Sequence, residues 1–545
     1  MSSNLSAPSS NLFASIDMGT NSFKLLIVRA FPDGVFFPVH RRKEAVVLGR
    51  DAAAGAISPQ SRARAMESLS SFARILQAHS VVPAHTACFA TSAVREAENR
   101  DEFVAAAKEA LGLGFDVSVL SGEEEAELAY KGVIQFLPVY EKLVLNVDIG
   151  GGSTEFAIGK QGRVLYCASL KLGHVSLTQE FVRHGELLDL REHIRSTILK
   201  SGLVDKVEHF GFEVAVGSSG TIRELEEAEF HGFAWDSFDG MPPHGAVKRE
   251  WRLSRKGLTG IVEALCHGGE EWRGKKDRLF GKRSEFIVAG AVLLGEIFEI
   301  LGIEEMEVSK YALGEAAIAD TLSKVYLGCD LNANVRWRSV VHFATRLNSK
   351  KRMRAAAQCA GIAREIFEGV KKEYELSTKD LEYLEAACLL HNTGLFNGRK
   401  GYHKQSYHII MNSDQLHGYE FQEVKFIALL AKHHRKKFPK PDHSSLQALP
   451  EEMKSKFRFL CTIIRVSVAL QQQDSPNYQK LGILDAAEGL ELLHSDIKDR
   501  NSLMEMIHPP EDPETEVLRH ELVNFRKVFN QDLAAMVMSG TAGCS

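Results

Sequence analysis

At 545 residues the chain is long enough for several domains, each with its own sizeable core. A formal net charge of −5 leaves no global basic field that would demand nucleic acid. Eight cysteines without a C-x-x-C pair predict reduced thiols rather than a disulfide scaffold, no run approaches the roughly 18 apolar residues of a membrane span, and the Ser-rich start, without basic and apolar parts, is not expected to act as a signal or transit peptide, so a cytoplasmic protein without a membrane partner is the expectation.

The first predicted element is a hairpin, in which an apolar strand reaches Ser15-Ile16-Asp17-Met18, turns through Gly19-Thr20-Asn21-Ser22 and returns along Phe23 to Val28. Phe36 to Leu48 continues the sheet. A helix over 59–79 follows, with Met66, Leu69, Phe72, Ala73 and Leu76 at three-and-four spacing. Strands at 86–91 and 115–120 then alternate with helices at 99–111 and 123–137, the pattern of an α/β lobe. A second hairpin starts at Leu143 and runs through Asn146-Val147-Asp148-Ile149, a tip of Gly150-Gly151-Gly152-Ser153-Thr154-Glu155, and Phe156 to Gly159. Val214 to Val216 is a strand that enters the small-residue turn Gly217-Ser218-Ser219-Gly220-Thr221 and then a helix. Phe286 to Ile300 and Ala312 to Leu322 close this half. The pattern lapses between 326 and 335, and from 336 to about 475 the chain is helical. Leu481 to His494 is read as a short hairpin and Glu516 to Met536 as a closing helix. The predicted domains are 12–140, 141–328, 336–475 and 476–545.

The two hairpins are one device used twice. Each reaches an Asp and turns through glycine into hydroxyl or amide side chains. Glycine lets backbone N–H groups crowd round an anion, Ser and Thr add donors, and the Asp can hold a metal ion or its water. A single D-x-G-T turn is commonly just a turn; two in the same order, with a third glycine turn after Val216, point to phosphoryl chemistry. Gly19, Thr20, Asn21 and Ser22 form one candidate phosphate loop, Gly150, Gly151, Gly152, Ser153 and Thr154 another, and Ser219, Gly220 and Thr221 a third. Asp17 and Asp148 are the candidate Mg²⁺ carboxylates, since magnesium takes oxygen ligands and keeps several waters. Arg95 offers a permanently charged fork for a phosphate oxygen. Among Glu123, Glu124 and Glu125, the Ser121-x-x-Glu124 spacing is a capping box, which assigns Glu124 to the helix start.

The arrangement resembles the superfamily of actin, sugar kinases and the large heat-shock chaperones, in which two ribonuclease-H-like lobes carry the phosphate loops. Ala90-Thr91-Ser92-Ala93-Val94-Arg95-Glu96 and Ser121-Gly122-Glu123-Glu124-Glu125-Ala126, set between D-x-G-T-N-S-F, D-I-G-G-G-S-T-E and G-S-S-G-T-I, narrow this. Together they closely resemble the exopolyphosphatase/guanosine pentaphosphate phosphatase family, in order from about residue 12 to 320. The resemblance implies an α/β fold of two ribonuclease-H-like, actin-like ATPase lobes, followed by an α-helical HD-like domain and a small C-terminal module. It implies Glu125 as the general base and Glu155 as a second site carboxylate. It also implies Mg²⁺-dependent release of orthophosphate from the end of inorganic polyphosphate, with guanosine pentaphosphate as a second substrate and a homodimer as an allowed assembly. A small-molecule kinase of the same superfold and a polyphosphate- or nucleotide-binding regulator are the competing expectations. The family's S-x-x-A-L-R-E-G stands here as Ser309-Lys310-Tyr311-Ala312-Leu313-Gly314-Glu315-Ala316, without its Arg. His391 is followed by Asn392 where metal-using HD enzymes have Asp, so a metal-free helical domain is expected. Its bases, among them Arg399, Lys400, His403, Lys404, His408 and 432–437, suggest a clamp for a polyanion.

Overall fold

Every residue of β1 (Leu12–Met18) is buried, because this strand lies in the middle of a five-stranded sheet and has no solvent face. The computed structural model describes residues 11–31, 34–48, 55–233, 251–267, 270–311, 313–326, 335–435, 444–447, 449–472, 481–486, 489–494, 513–530 and 533–535. These fall into two compact units, one drawn from residues 1–36 and 40–333, the other from 37–39 and 334–545. The expected chain boundary at 326–335 lies largely outside the described residues.

In the first unit, β1 pairs antiparallel with β2 (Ser22–Ala30) and parallel with β4 (Thr86–Ala90). With β3 (Phe36–Ala45) and β5 (Ser118–Val119) the strand order is β3-β2-β1-β4-β5. A second sheet repeats it. β6 (Val144–Ile149), β7 (Thr154–Lys160), β8 (Arg163–Leu170), β9 (Val214–Ser218), β10 (Arg252–Ser254) and β11 (Glu305–Val308) take the order β10-β11-β9-β6-β7-β8. Read from β8, this is the first sheet's order with β10 added at the far edge. β5 keeps only two residues of the predicted 115–120 strand, since it pairs only with Phe89 and Ala90 at the sheet's edge.

Strand alternation decides what each face of the second sheet carries. Leu145, Val147 and Ile149 of β6 and Phe156 and Ile158 of β7 pack against the helices Leu187–Lys200, Gly220–Phe230, Arg255–His267 and Ile287–Ile300. Val144 and Ala157 face the other way, against Tyr130, Val133 and Ile134 of the helix Gly122–Ile134. By the same period Asp148 and Glu155 lie on that second face, towards the helix that carries Glu125. The helix has the capping box read from sequence: Glu124 N–H donates to Ser121 Oγ and Ser121 N–H to Glu124 Oε2. Its Ala129 packs with Phe89, Leu313 and Ala317, so it also meets the helix Leu313–Val325. Leu313–Val325 comes last in this unit yet packs on β1, β2 and β4.

Among the described residues between Val335 and Gln472 the second unit is built of helices, with Leu384, Leu389, Phe426, Leu430, Phe457, Leu460 and Ile464 in its core. Strands β12 (Leu481–Ala486) and β13 (Gly489–His494) form the predicted hairpin. The closing helix is shorter than predicted. It spans Pro513–Phe529, and Leu533–Ala535 is instead a strand parallel to β13. The positive φ of +50° at Asn530 breaks the helix there.

Candidate active site

Hairpin register places the candidate carboxylates. Asp17 of β1 stands opposite Lys24 of β2, and Asp148 of β6 opposite Glu155 of β7. The two hairpins thus present the same position as an ammonium in one and a carboxylate in the other. Lys24 Nζ donates to Asp17 Oδ2 at 2.7 Å, and Ser218 Oγ to Asp148 Oδ2 at 2.5 Å. Glu155 accepts from Ser169 Oγ at 2.9 Å. Glu125 accepts from Arg95 Nη1 at 2.8 Å. Asp17, Glu125, Asp148 and Glu155 are all buried.

Crowding like charges away from water raises the cost of ionising them. Burial pushes the Glu125 carboxyl up to about 7; Arg95 opposes this, and the charges of Asp17 and Asp148 add to it. Burial, then Glu125, then Asp148 hold Glu155 well above the usual carboxylate range. Asp148 is raised by burial, against the Ser218 hydrogen bond and the Lys24 charge. Four carboxylates therefore face one another with Lys24 and Arg95 as their bonded cations.

The glycine loops meet directly. A Cβ on Gly151 would lie 2.9 Å from Thr20 Cβ and 3.2 Å from Asn21 N, and one on Gly152 would lie 2.6 Å from Ser92 Oγ. Thr20 and Asn21 of the first loop are thus opposed to Gly151 and Gly152 of the second across contact distance. Behind them, Gly150 and Gly151 carbonyls accept from the N–H groups of His174 and Val175, at 3.1 and 2.9 Å.

His174, which sequence reasoning missed, ties all three loops together. Its backbone N–H meets Gly150, its Nε2 lies 3.3 Å from Asn21 Nδ2, and its Nδ1 lies 3.3 Å from Thr221 Oγ1. With the Asn21 amide donating to Nε2, the partners assign the proton to Nδ1. Burial, then Arg283, lower its pKa to about 3, so the ring is neutral. Its only sequence signal was a His directly after the glycine that follows a strand.

The third loop is strained. Ser219 has φ 105° and ψ 170°, a region that glycine alone enters freely, and its Oγ caps the helix Gly220–Phe230 at Ile222 N. Gly220 leaves room for the Arg283 guanidinium, whose nitrogens a Cβ would overlap. Arg283 also bonds Glu224 at 2.9 Å. Lys43 interacts electrostatically with Arg283, Lys24 and Arg223. This basic group joins the carboxylates through Lys24, which interacts with Asp17, Asp148 and Arg283 alike. Lys24, Lys43, Arg223 and Arg283 were not among the expected site residues; only Lys24 had a signal, its place in the return strand opposite Asp17.

Thr154 departs from its expected place. It lies inside β7, fully buried, and donates to the Leu172 carbonyl at 2.5 Å, so it anchors a turn rather than facing the opposed loop. The Thr221 hydroxyl is engaged by His174 and that of Ser153 by Glu155. Lys171 forms an exposed ion pair with Glu96 at 2.5 Å.

The first unit thus builds one mixed α/β sheet twice, each carrying an Asp-Gly loop at the same place in its strand order. Residues 27–325 match the Ppx/GppA phosphatase family, and residues 335–505 match Ppx/GppA phosphatase, domain III. The chain belongs to the Ppx/GppA phosphatase family, a family of hydrolases. It is 28% identical over 470 residues to a guanosine-5′-triphosphate,3′-diphosphate pyrophosphatase of Pseudoalteromonas translucida (strain TAC 125), which covers 85% of this chain and 88% of that relative. The crystal structure of an exopolyphosphatase from Cytophaga hutchinsonii ATCC 33406 is similar with a TM-score of 0.50 and 26% identity, over 57% of this chain and 98% of that one. The Aquifex aeolicus Ppx/GppA family member matches with a TM-score of 0.47 and 25% identity, over 58% of this chain and 98% of its own.

Proposed function

We propose that the protein is a cytoplasmic, Mg²⁺-dependent exopolyphosphatase that hydrolyses the terminal phosphoanhydride of inorganic polyphosphate. The observation that carries this reading is Glu125, a buried carboxylate held by Arg95 at 2.8 Å and pushed up to about 7, beside two opposed glycine loops. A base near neutral is matched to taking a proton from water. Glu125 accepts that proton as water oxygen bonds the terminal phosphorus and the bridging P–O bond breaks, leaving the shortened chain. Glu155, bonded by Ser169 and Ser153, orients the water. The glycine loops bind the end of the chain, and Lys24, Lys43, Arg223 and Arg283 bind its next phosphates.

The donor set suits magnesium. Asp17 and Asp148 are hard oxygen donors in a site with surplus negative charge, which a divalent cation offsets. Among the described residues no group of three or more His, Cys, Asp or Glu side chains is arranged to hold a metal ion. Asp17 and Asp148 would therefore hold it with waters and phosphate oxygens completing the shell. When bound, Mg²⁺ supplies charge neutralisation on the phosphate oxygens.

Guanosine pentaphosphate is the second reading, favoured by the relative that matches across 85% of this chain. The same residues would serve, since the bond is of the same kind. Among the described residues no helix is long and apolar enough to cross a membrane, and we expect neither a membrane nor a nucleic-acid partner. The test is phosphate release by the purified full chain with Mg²⁺, comparing polyphosphate, guanosine pentaphosphate and ATP. Orthophosphate release from polyphosphate supports the proposal. Phosphate transfer from ATP to an acceptor, or polyphosphate binding without release, overturns it in favour of a kinase or a regulator.

A further inference from the structure

The helical unit holds a cavity of about 980 Å³ that the chemistry above leaves unused. Four of its helices contribute: Tyr402–Met411, Phe421–His433, Glu451–Gln472 and Pro513–Phe529. Of the bases that suggested a polyanion clamp here, His403 and His434 are buried. His434 Nδ1 lies 2.7 Å from the Ala431 carbonyl and its Nε2 lies 3.0 Å from Tyr402 Oη, which fixes both rings at the cavity wall.

What remains at the mouth is a concentrated positive charge. Lys404, Lys432 and Arg435 line the cavity and form no ion pair with a carboxylate among the described residues. Lys432 sits over the Tyr407 ring at 4.9 Å and Arg435 over the Tyr402 ring at 5.2 Å. Of the two acids on the lining, Glu521 is already held by Arg465 at 2.8 and 2.5 Å, leaving Glu516 exposed at the edge. Val468, Ala469 and Val517 supply an apolar wall.

We infer that this cavity binds a nucleotide-sized organic phosphate, with its phosphates on Lys404, Lys432 and Arg435 and its less polar part against Val468 and Ala469. Size favours this over a lone phosphate ion, because pockets of about 300–1,000 Å³ suit small organic ligands. Burial, and then the Lys404 charge, lower the Lys432 pKa, and a bound anion reverses that penalty. The aromatic partners hold Lys432 and Arg435 in place, so less side-chain freedom is lost on binding.

Calorimetric titration of the full chain with β,γ-imido-GTP tests the site, with tripolyphosphate and orthophosphate as separate arms. Replacing both lysines, Lys404→Gln with Lys432→Gln, is expected to weaken one binding component about a hundredfold. Lys404→Arg with Lys432→Arg is expected to keep that component. Both variants are expected to retain the parent's far-UV circular dichroism. Identical isotherms for the parent and the Gln pair overturn the proposal. Binding of tripolyphosphate or orthophosphate to the lysine-dependent component as tightly as the nucleotide analogue overturns its nucleotide part and marks a site for phosphate alone.

Discussion

Arg95 donates from one guanidinium nitrogen both to Glu125 Oε2, at 2.8 Å, and to the Leu120 carbonyl, at 3.0 Å. The backbone bond fixes the arginine immediately before the helix that carries the carboxylate, so the pair is positioned from both ends. Arg95 was expected from sequence to meet a phosphate oxygen. In the folded chain it partners the candidate base, and its Nε lies 3.5 Å from Glu96 Oε1.

Glu125 must be ionised to accept a proton, and burial places its pKa at about 7. kcat/KM is therefore expected to rise with pH up to about 7 and then level, the limb belonging to the coupled Glu125–Glu155 pair. Arg95→Gln removes a charge that favours the ionised form, so its limb should move to higher pH and its deficit should be largest in acid. Glu125→Gln should lower turnover by roughly 10²–10⁴-fold with little loss of substrate binding. Glu124→Gln keeps a capping-box residue at N3 and should cost only about 0.3–1 kcal/mol of stability through the lost charge at the helix start. Stopped assays across pH 5–9 decide this; an unmoved limb in Arg95→Gln places the titration elsewhere.

His174 gives a stability signature of its own. Its folded pKa is lowered from 6.5 to about 3, so between those values the unfolded chain binds more protons than the folded one. The neutral ring's contribution is complete above about 6.5 and is lost as pH falls towards 3. His174→Gln should cost about 1–3 kcal/mol at pH 7 through its broken ties to Asn21 and Thr221. The variant should then lose less stability than the parent on acidification. Urea unfolding at pH 7 and pH 4.5 measures both effects, and parallel losses in the two proteins would remove His174 as the acid-sensitive group.

Ser219 is held at φ 105° and ψ 170°. Such strain costs of order 1–3 kcal/mol in a residue with a side chain, whereas giving up a cap to glycine costs only a few tenths. Ser219→Gly should therefore stabilise the protein by about 1 kcal/mol. A lower melting temperature in this variant would mean that the hydroxyl supports the loop by more than the backbone strain removes.

Much of the candidate site was legible because hairpins write their register into the sequence. Asp17 and Asp148 each precede a glycine turn by two residues, and the spacing of Ser121 and Glu124 distinguished a capping acid from Glu125. The strand period even assigns Asp148 and Glu155 to one face, although the burial of Glu155 depends on a helix from earlier in the chain that no local pattern announces. What stayed hidden was long-range. Arg283 reaches Gly220 from 63 positions away by subtraction of their numbers, and the Leu313–Val325 helix packs on the first sheet after the whole second sheet has been built. Thr154 was misplaced for a related reason: its hydroxyl looks like a loop donor until Leu172 is folded against it.

The last prediction separates metal from phosphate grip. Asp148 has Ser218 Oγ at 2.5 Å, and asparagine can keep its shape there while losing the charge. Asp148→Asn should weaken apparent Mg²⁺ affinity by about tenfold or more, because ligand charge sets affinity for a hard cation. Gly151→Val acts by sterics. Its Cβ would fall 2.9 Å from Thr20 Cβ and 3.2 Å from Asn21 N, so the opposed loops must separate. That variant should lose turnover and raise KM while leaving the Mg²⁺ midpoint where it was. Magnesium titrations at saturating substrate distinguish the two, since extra metal should restore part of the activity of Asp148→Asn and none of that of Gly151→Val. An unchanged metal midpoint in Asp148→Asn would take this residue out of the magnesium site and leave Asp17 as the sole candidate of the pair.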